Sequence, residues 1–420
     1  MGDVLIAGGG IGGLTLALCL HRNDVPCVVL EAAAEIRALG VGVNVLPHAA
    51  AELARLGLEE ELARVAVLAD EASFFNRFGQ LVHKEPLGRA AGYPHPQFSV
   101  HRADLHAALF RAARERLGPD RILLGRRLLA AEQDADGVTL RFAPGADGGE
   151  APPPARGTVA VGCDGIHSAL RRQLHPCEGE PKYTGYNMWR GVSPWPPILT
   201  GATMARVGWL STGKMVLYPI RKAIDAEGRQ LLNWVFEIET AEHRSRRDWN
   251  LPGKVEDVLR HVSGWRFPWL DVPAMLRASH SVLEYPMVDQ DPLARWTFGR
   301  LTLLGDAAHP MVPRGSNGAG QSILDARCLA DALARTPDDP AAALAAYEAE
   351  RLPATTRVVL TNRTSPPDAI LRVVHERTGD KPFARIEDVM SREEMLAITG
   401  SYKRVAGYDL ERLRTAAEDD

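Results

Sequence analysis

The chain has 420 residues, 45% apolar and 24% charged, with a formal net charge of −4. That length suits roughly two to three domains of about 150 residues, and the composition is that of a globular protein able to bury a sizeable core. The mild acidity excludes broad electrostatic attraction to nucleic acid or anionic membranes, and the basic pairs Arg126-Arg127, Arg171-Arg172 and Arg246-Arg247 read as solvated surface.

Five cysteines (Cys19, Cys27, Cys163, Cys177, Cys328) lie far apart with no C-x-x-C pair. Neither a disulfide framework nor a zinc site is expected, and a reducing cytoplasm is the expected location. Val4 to Leu20 is nearly uncharged, but it lacks a basic leader and is broken by glycines, unlike a signal peptide. No other stretch approaches the ~18 uncharged residues of a membrane span.

In chain order, Val4 to Ala7 reads as a buried strand, Leu14 to His21 as a helix and Cys27 to Leu30 as a second strand, together a βαβ unit. Helices follow at His48 to Leu56 and Arg102 to Leu117. Arg121 to Leu128 and Gly137 to Phe142 resemble strands, and Ala143 to Gly157 an exposed loop rich in Gly and Pro. Val159 to Val161 is a brief strand. From Lys182 to Met287 the pattern changes to strand-like runs, such as Met215 to Pro219 and Leu231 to Glu239, carrying most of the tryptophans. That region predicts a mixed sheet. Arg300 to Leu304 returns to a buried strand, before helices at Gly320 to Ala334 and Pro340 through Leu360. The acidic end, Glu418-Asp419-Asp420, reads as a frayed tail.

Gly8-Gly9-Gly10-Ile11-Gly12-Gly13 fits G-x-G-x-x-G between the first strand and first helix. Gly8 allows the tight turn, Gly10 the approach of a pyrophosphate and Gly13 close helix–strand packing, and the helix start favours the anion. Glu31 ends the second strand, where a carboxylate accepts from ribose hydroxyls. Alone, these features fit FAD or NAD equally. Val161-Gly162-Cys163-Asp164-Gly165 and Leu303-Leu304-Gly305-Asp306-Ala307 each put a further carboxylate at a strand's end, where open parallel sheets bind ligands. Pro313 to Gln321 follows; Gly315, Gly318 and Gly320 expose backbone N–H groups at a helix start, and Asn317 is placed to cap it.

The three motifs, in this order over most of the chain, resemble the single-component FAD-dependent aromatic hydroxylases related to p-hydroxybenzoate hydroxylase. Leu39 to Asn44, Met188 to Val192, Tyr285 to Asp289 and Ile398 to Tyr402 are similar to the branch containing 5-methylphenazine-1-carboxylate 1-monooxygenase. Salicylate hydroxylase and 3-hydroxybenzoate 6-hydroxylase are more distant. The resemblance implies an α/β fold: a Rossmann-like FAD-binding domain with an inserted mixed β-sheet substrate domain and C-terminal helices. It divides the chain into residues 1–181 rejoined by 288–360, a substrate domain at 182–287, and a helical extension at 361–420.

For single residues, the resemblance places Gly8, Gly10, Ile11, Gly12 and Gly13 against the FAD diphosphate and Glu31 on the adenosine ribose. Arg102 meets the phosphates or ribityl chain, Val43 lies by the cofactor and Leu128 touches adenine through its backbone. Asp306 binds the ribityl or pyrophosphate region, with Asp164 in support. Pro313, Gly315, Asn317 and Gly318 face the flavin pyrimidine. Cys163 departs from the small residue usual there; a buried thiol packs acceptably.

The implied cycle runs from NAD(P)H to FAD, then O2, then oxygen transfer from a C4a-hydroperoxide to an electron-rich aromatic or heteroaromatic ring. No protein acid–base pair is required, and His309 is only a weak catalytic candidate. Trp189, Arg190, Tyr218, Trp234 and Pro310 are substrate-side candidates, with Arg190 suited to a carboxylate, although alternation turns half of any strand's side chains away. No second strand-bound G-x-G-x-x-G exists, so NAD(P)H is expected to visit transiently. A halogenase is disfavoured by the absence of a W-x-W-x-I-P element. A Baeyer–Villiger or epoxidising oxygenase, or an FAD-holding sensor without turnover, stays open, as does monomer against homodimer.

Overall fold

The computed structural model describes residues 2–36, 40–145, 148–241 and 251–418; Leu39, Arg246-Arg247 and Asp419-Asp420 lie outside them. The apolar run Val4–Ala7 is the centre of a five-stranded parallel sheet, flanked by Val159–Gly162 and Cys27–Leu30, with Leu301–Leu303 and Ile122–Leu123 at the edges. Near-continuous apolar strands suit a sheet covered on both faces. The helices Ile11–Arg22, Arg102–Leu117 and Gly318–Arg335 pack together beside it, joining its side chains in one core.

The register sets the site. The Gly8 N–H donates to the Leu30 carbonyl, the Cys163 N–H to that of Ala7 and the Leu304 N–H to that of Gly162. Gly8, Glu31, Asp164 and Asp306 thus share the carboxyl edge of one parallel sheet, the edge at which such sheets bind ligands.

A mixed sheet of eight strands runs in the order Leu251–Pro252, Ser281–Asp289, Lys182–Trp195, Gln230–Glu239, Gly213–Arg221, Thr203–Trp209, Glu71–Phe75, Leu81–Pro86. Only the contact between Thr203–Trp209 and Glu71–Phe75 is parallel. The last two strands come from before residue 182, so the sheet draws on more than the 182–287 segment. Their reason is apolar: Ala72, Phe74 and Val82 pack against Ile370, Leu371, Val374 and Met395 of the C-terminal helices and against Met390 in the segment between them. The far face of the sheet carries a separate core with the helices Val255–Val262 and Val272–Arg277.

Two local expectations change. Arg121 to Leu128 is not one strand: Ile122–Leu123 joins the parallel sheet and Leu128–Gln133 a small antiparallel one. Gly125, at φ +68°, turns the chain between them, and its N–H bonds to the Ala33 carbonyl. The loop to Gly157 ends in a third strand of that small sheet, Ala155–Gly157. Beyond Pro340–Thr364 come helices Ala369–Thr378, Arg392–Ala406 and Leu410–Glu418. Among the described residues no helix is long and apolar enough to cross a membrane.

Candidate active site

The glycine loop is shaped before any ligand arrives. Gly8 has φ +116°, and a Cβ there would lie 2.3 Å from the Cys163 carbonyl oxygen. A Cβ on Gly13 would lie 2.0 Å from the Gly8 oxygen, so helix and strand approach only with glycine at both positions. A Cβ on Gly10 would meet nothing within 4 Å, the open side that a phosphate can occupy. Ile11 is in the core, and Gly12 leaves room for Leu304. The helix Ile11–Arg22 has no side-chain cap. Its first N–H groups therefore remain for an anion.

Glu31 ties this loop to the second strand. One carboxylate oxygen accepts from the Gly9 N–H at 2.6 Å and the other from the Ala33 N–H at 2.7 Å. His106 Nε2 lies 2.7 Å from the Gly9 carbonyl oxygen. Arg102 starts the helix Arg102–Leu117; it is exposed, with no guanidinium partner among the described residues. The N–H of Arg126 bonds to the Glu31 carbonyl at 2.7 Å, which brings the segment entering Leu128 beside Glu31.

The two further carboxylates differ. Asp164 Oδ2 accepts from the N–H groups of Ala169 at 2.7 Å and Leu170 at 3.3 Å, holding the start of Ala169–Leu174. Burial raises the Asp164 carboxyl above the usual range, against the pull of these bonds. Asp306 is exposed, with no carboxylate partner among the described residues. It is the available one. Between the motifs, burial and the nearby Asp164 carboxylate push the Cys163 thiol far up, which fits packing rather than redox chemistry.

His309 is not placed for catalysis. It is 3% exposed and its Nε2 lies 2.5 Å from Asp325 Oδ2. Asp325 also accepts from Arg351 at 2.8 Å and from the Gly305 N–H at 3.2 Å. Burial alone would raise the Asp325 carboxyl, but His309 and Arg351 outweigh it and hold it low. The network braces the Gly-Asp turn from behind.

Pro313–Gly315 forms a short turn leading to Gly318–Arg335. Asn317 does not cap that helix as expected: its side-chain oxygen accepts from Gln321 Nε2 at 3.2 Å instead. With φ −116° and ψ −10°, its backbone lacks the extended form typical of a cap, so the helix start keeps its N–H groups free of side-chain caps. A Cβ on Gly315 would overlap the Tyr402 hydroxyl, which donates to Asn362 at 2.8 Å. Tyr402 thus lies under this turn.

Strand alternation sorts the substrate-side candidates. Trp189 and Trp234 are a correction: both enter the far-face core with Phe236 and Met275, and Trp234 Nε1 donates to Ser279 at 3.0 Å. They lie on the wrong face of the pleat. Arg190 and Tyr218 do face the cofactor part, but Arg190 Nη2 donates to the Gly42 carbonyl at 2.8 Å, next to Val43. Asn233 Oδ1 accepts from the Gly42 N–H at 2.7 Å, and a Cβ on Gly42 would overlap Asn233 and Tyr218. Arg190 thus clamps the strand Gly42–Val45 rather than presenting a free fork. Pro310 is buried behind the Gly-Asp turn.

Sequence reasoning missed a group of buried charges on this same face. Lys214, 1% exposed, pairs with both Glu237 and Asp368. Arg314 stands 4.3 Å over the Tyr186 ring. Arg206, 8% exposed, stands 5.1 Å over Phe74 and has no ion pair or hydrogen bond from its side chain among the described residues. A cavity of about 30 Å³ is walled by Phe74, Met204, Arg206, Gly315 and Ser316, among others. A larger hollow of about 360 Å³, between His167, Arg172, Glu180 and Gln290, shares no wall with it. Period-2 alternation of Met204, Arg206 and Gly208 was the available signal.

Residues 1–362 match the family model described as FAD binding domain. The chain is 41% identical, over 96% of its length and 97% of the relative's, to a phenazine 1,6-dicarboxylic acid hydroxylase of Lysobacter antibioticus. It is 35% identical to a 3-amino-4-hydroxybenzoate 2-monooxygenase of Streptomyces platensis, covering 83% of this chain and 84% of that one. Among solved structures, Klebsiella pneumoniae HpxO complexed with FAD and uric acid superposes with a TM-score of 0.71 at 25% identity, covering 99% of this chain and 96% of that one.

Proposed function

The chain belongs to the FAD-binding-domain family of aromatic monooxygenases, and we propose that it uses NAD(P)H and O2 to hydroxylate a planar, electron-rich aromatic or heteroaromatic acid. It is an FAD-dependent oxidoreductase. The cradle fits that cofactor: the open side of Gly10, the uncapped helix start and Asp306, unpaired among the described residues, are what a dinucleotide with a ribityl chain requires. FAD, when bound, supplies hydride acceptance and activation of O2.

The protein's own groups bind and orient. Gly8 to Gly13 and the helix behind them hold the diphosphate, Glu31 the adenosine ribose, Leu128 the adenine edge and Arg102 the phosphates. Asp306 accepts from ribityl hydroxyls; a carboxylate against phosphate would repel it. The uncapped N–H groups from Gly318 face the pyrimidine, where negative charge develops on reduction, with Pro313, Gly315 and Asn317 shaping the approach. Val43 lies by the ring.

The clamp on Gly42 carries the reading. Arg190, Asn233 and Tyr218 of the mixed sheet grip the strand next to Val43. One sheet face is thereby set over the ring position, as a hydroxylase needs to enclose substrate and exclude water. Functionally, residues 1–181 rejoined by 288–360 serve the cofactor and 182–287 the substrate, with the strands at 71–86 completing the substrate sheet; 361–420 closes its edge. The scattered cysteines favour the cytoplasm, the charge balance no nucleic-acid or membrane partner, and the assembly a monomer or homodimer. NADH and NADPH oxidation by the purified protein across a panel of aromatic acids, counting peroxide with product, tests this: a ring that speeds oxidation and is hydroxylated supports it, and FAD without any responsive ring counts against it.

A further inference from the structure

We propose that Arg206 anchors the anionic group of the substrate, a carboxylate on a planar ring; this rests on the hydroxylase reading above. Arg206 lies in the strand Thr203–Trp209. Alternation sends Ala205 and Val207 into the far core, so Arg206 and Met204 face the cofactor part. The residue is only 8% exposed, and no described residue offers its guanidinium an ion pair or hydrogen bond. Such a charge is costly to keep, and buried polar groups are nearly always satisfied. A ligand that supplies the acceptor resolves the cost.

The neighbours do not neutralise it. Lys214 takes both Glu237 and Asp368. Arg314 adds a third cation, with Nε and Nη2 buried and unbonded among the described residues. With Arg190 on the same face, four cations stand against two carboxylates, a surplus that an anionic ligand reduces. The Glu85–Lys403 pair on the cavity wall, at 2.9 Å, is neutral in itself.

Shape agrees with charge. A cavity of about 30 Å³ holds a carboxylate but not a fused ring, so the ring extends from it along Gly315 and Ser316. Phe74 and Met204 supply apolar wall, and Gln97 and Thr399 polar groups. The planar fork of arginine takes a carboxylate by two parallel bonds, which lysine cannot do. Arg190 is less free than Arg206, because its Nη2 already donates to the Gly42 carbonyl, although its Nε has no partner among the described residues.

The test uses FAD-loaded enzyme with phenazine-1-carboxylate and phenazine-1-carboxamide, each titrated by its change in flavin absorbance. The acid should bind the native enzyme at least tenfold more tightly than the amide. In Arg206→Gln that ratio should fall to near one, with FAD content unchanged. The ligand-free variant should melt no lower than the native enzyme, because an uncompensated charge has gone; Lys214→Met, which strands two carboxylates, should melt lower. Equal binding of acid and amide, failure of both to bind, or an unchanged ratio in Arg206→Gln overturns the proposal. Oxidation of NAD(P)H stimulated by either ring would still sustain the hydroxylase reading in the first and third cases, so the two claims fail separately.

Discussion

Asp164 and Asp306 end neighbouring strands of one sheet, yet the structure gives them opposite duties that a pair of substitutions can separate. Asp164→Ala removes the acceptor for two backbone N–H groups at the start of Ala169–Leu174. Loss of such a cap costs about 1–2 kcal/mol. The buried and unpaired Oδ1 opposes this, since removing it relieves desolvation, so the lower end, about 1 kcal/mol, is the expectation. For a chain this long, with an unfolding entropy of about 2 cal/mol/K per residue, that is a fall of roughly 1 °C. Asp306→Ala removes an exposed side chain with no partner among the described residues, so the stability of the FAD-free protein should not change. It should instead lose hydrogen bonds to ribityl hydroxyls. A bond to a charged group is worth about 1.5–3 kcal/mol, which is a weakening of FAD binding by about 10- to 150-fold. Calorimetry of FAD-free protein and fluorescence titration of FAD read the two effects apart. Asp306→Ala with native FAD affinity, or Asp164→Ala with the larger loss of FAD, would refute the division of labour.

Glu31→Ala frees the N–H groups of Gly9 and Ala33 and removes the ribose acceptor; the protein should purify folded but depleted in FAD by about tenfold or more, and full occupancy would count against the assignment. Arg190→Ala releases the Gly42 carbonyl, so FAD affinity should fall while the preference for an acidic over a neutral ring persists; loss of that preference alone would restore Arg190 as the carboxylate partner. His48 is buried against Tyr408 and, by burial first and Arg351 second, is held down to about 3. The unfolded chain protonates it near 6.5, so its contribution to stability is present above that pH and is lost as pH falls towards 3, by up to about 1.4 kcal/mol per unit. His48→Phe should flatten the fall of the urea midpoint between pH 6 and 4; parallel curves for the two proteins would refute it.

The cofactor part was the more legible in sequence because its signals are local. Val4–Ala7, Cys27–Leu30 and Val159–Gly162 are unbroken apolar runs, and the glycine offsets and Glu31 follow from the geometry of one βαβ unit. The mixed sheet was legible as strands but not as faces. Trp189 and Arg190 are adjacent, and only the covering of each face tells which one meets the cofactor part. The strands at 71–86 join that sheet through pairing with Thr203–Trp209 more than a hundred residues away, which no local pattern reports. Asn317 has a capping residue type at a capping position, but Gln321 takes its side-chain oxygen. Arg206 escaped notice because a charge in a strand ordinarily faces water; here that face is covered by Phe74 and the C-terminal helices.

The most direct measurement is turnover of the purified protein under labelled O2 with NAD(P)H and a phenazine carboxylic acid or another aromatic acid that quickens oxidation. The account predicts a yellow protein carrying FAD, oxidation stimulated by the ring, and one labelled oxygen atom in a hydroxylated product. A yellow protein whose NAD(P)H oxidation no ring stimulates, or whose electrons appear only as peroxide, would contradict it.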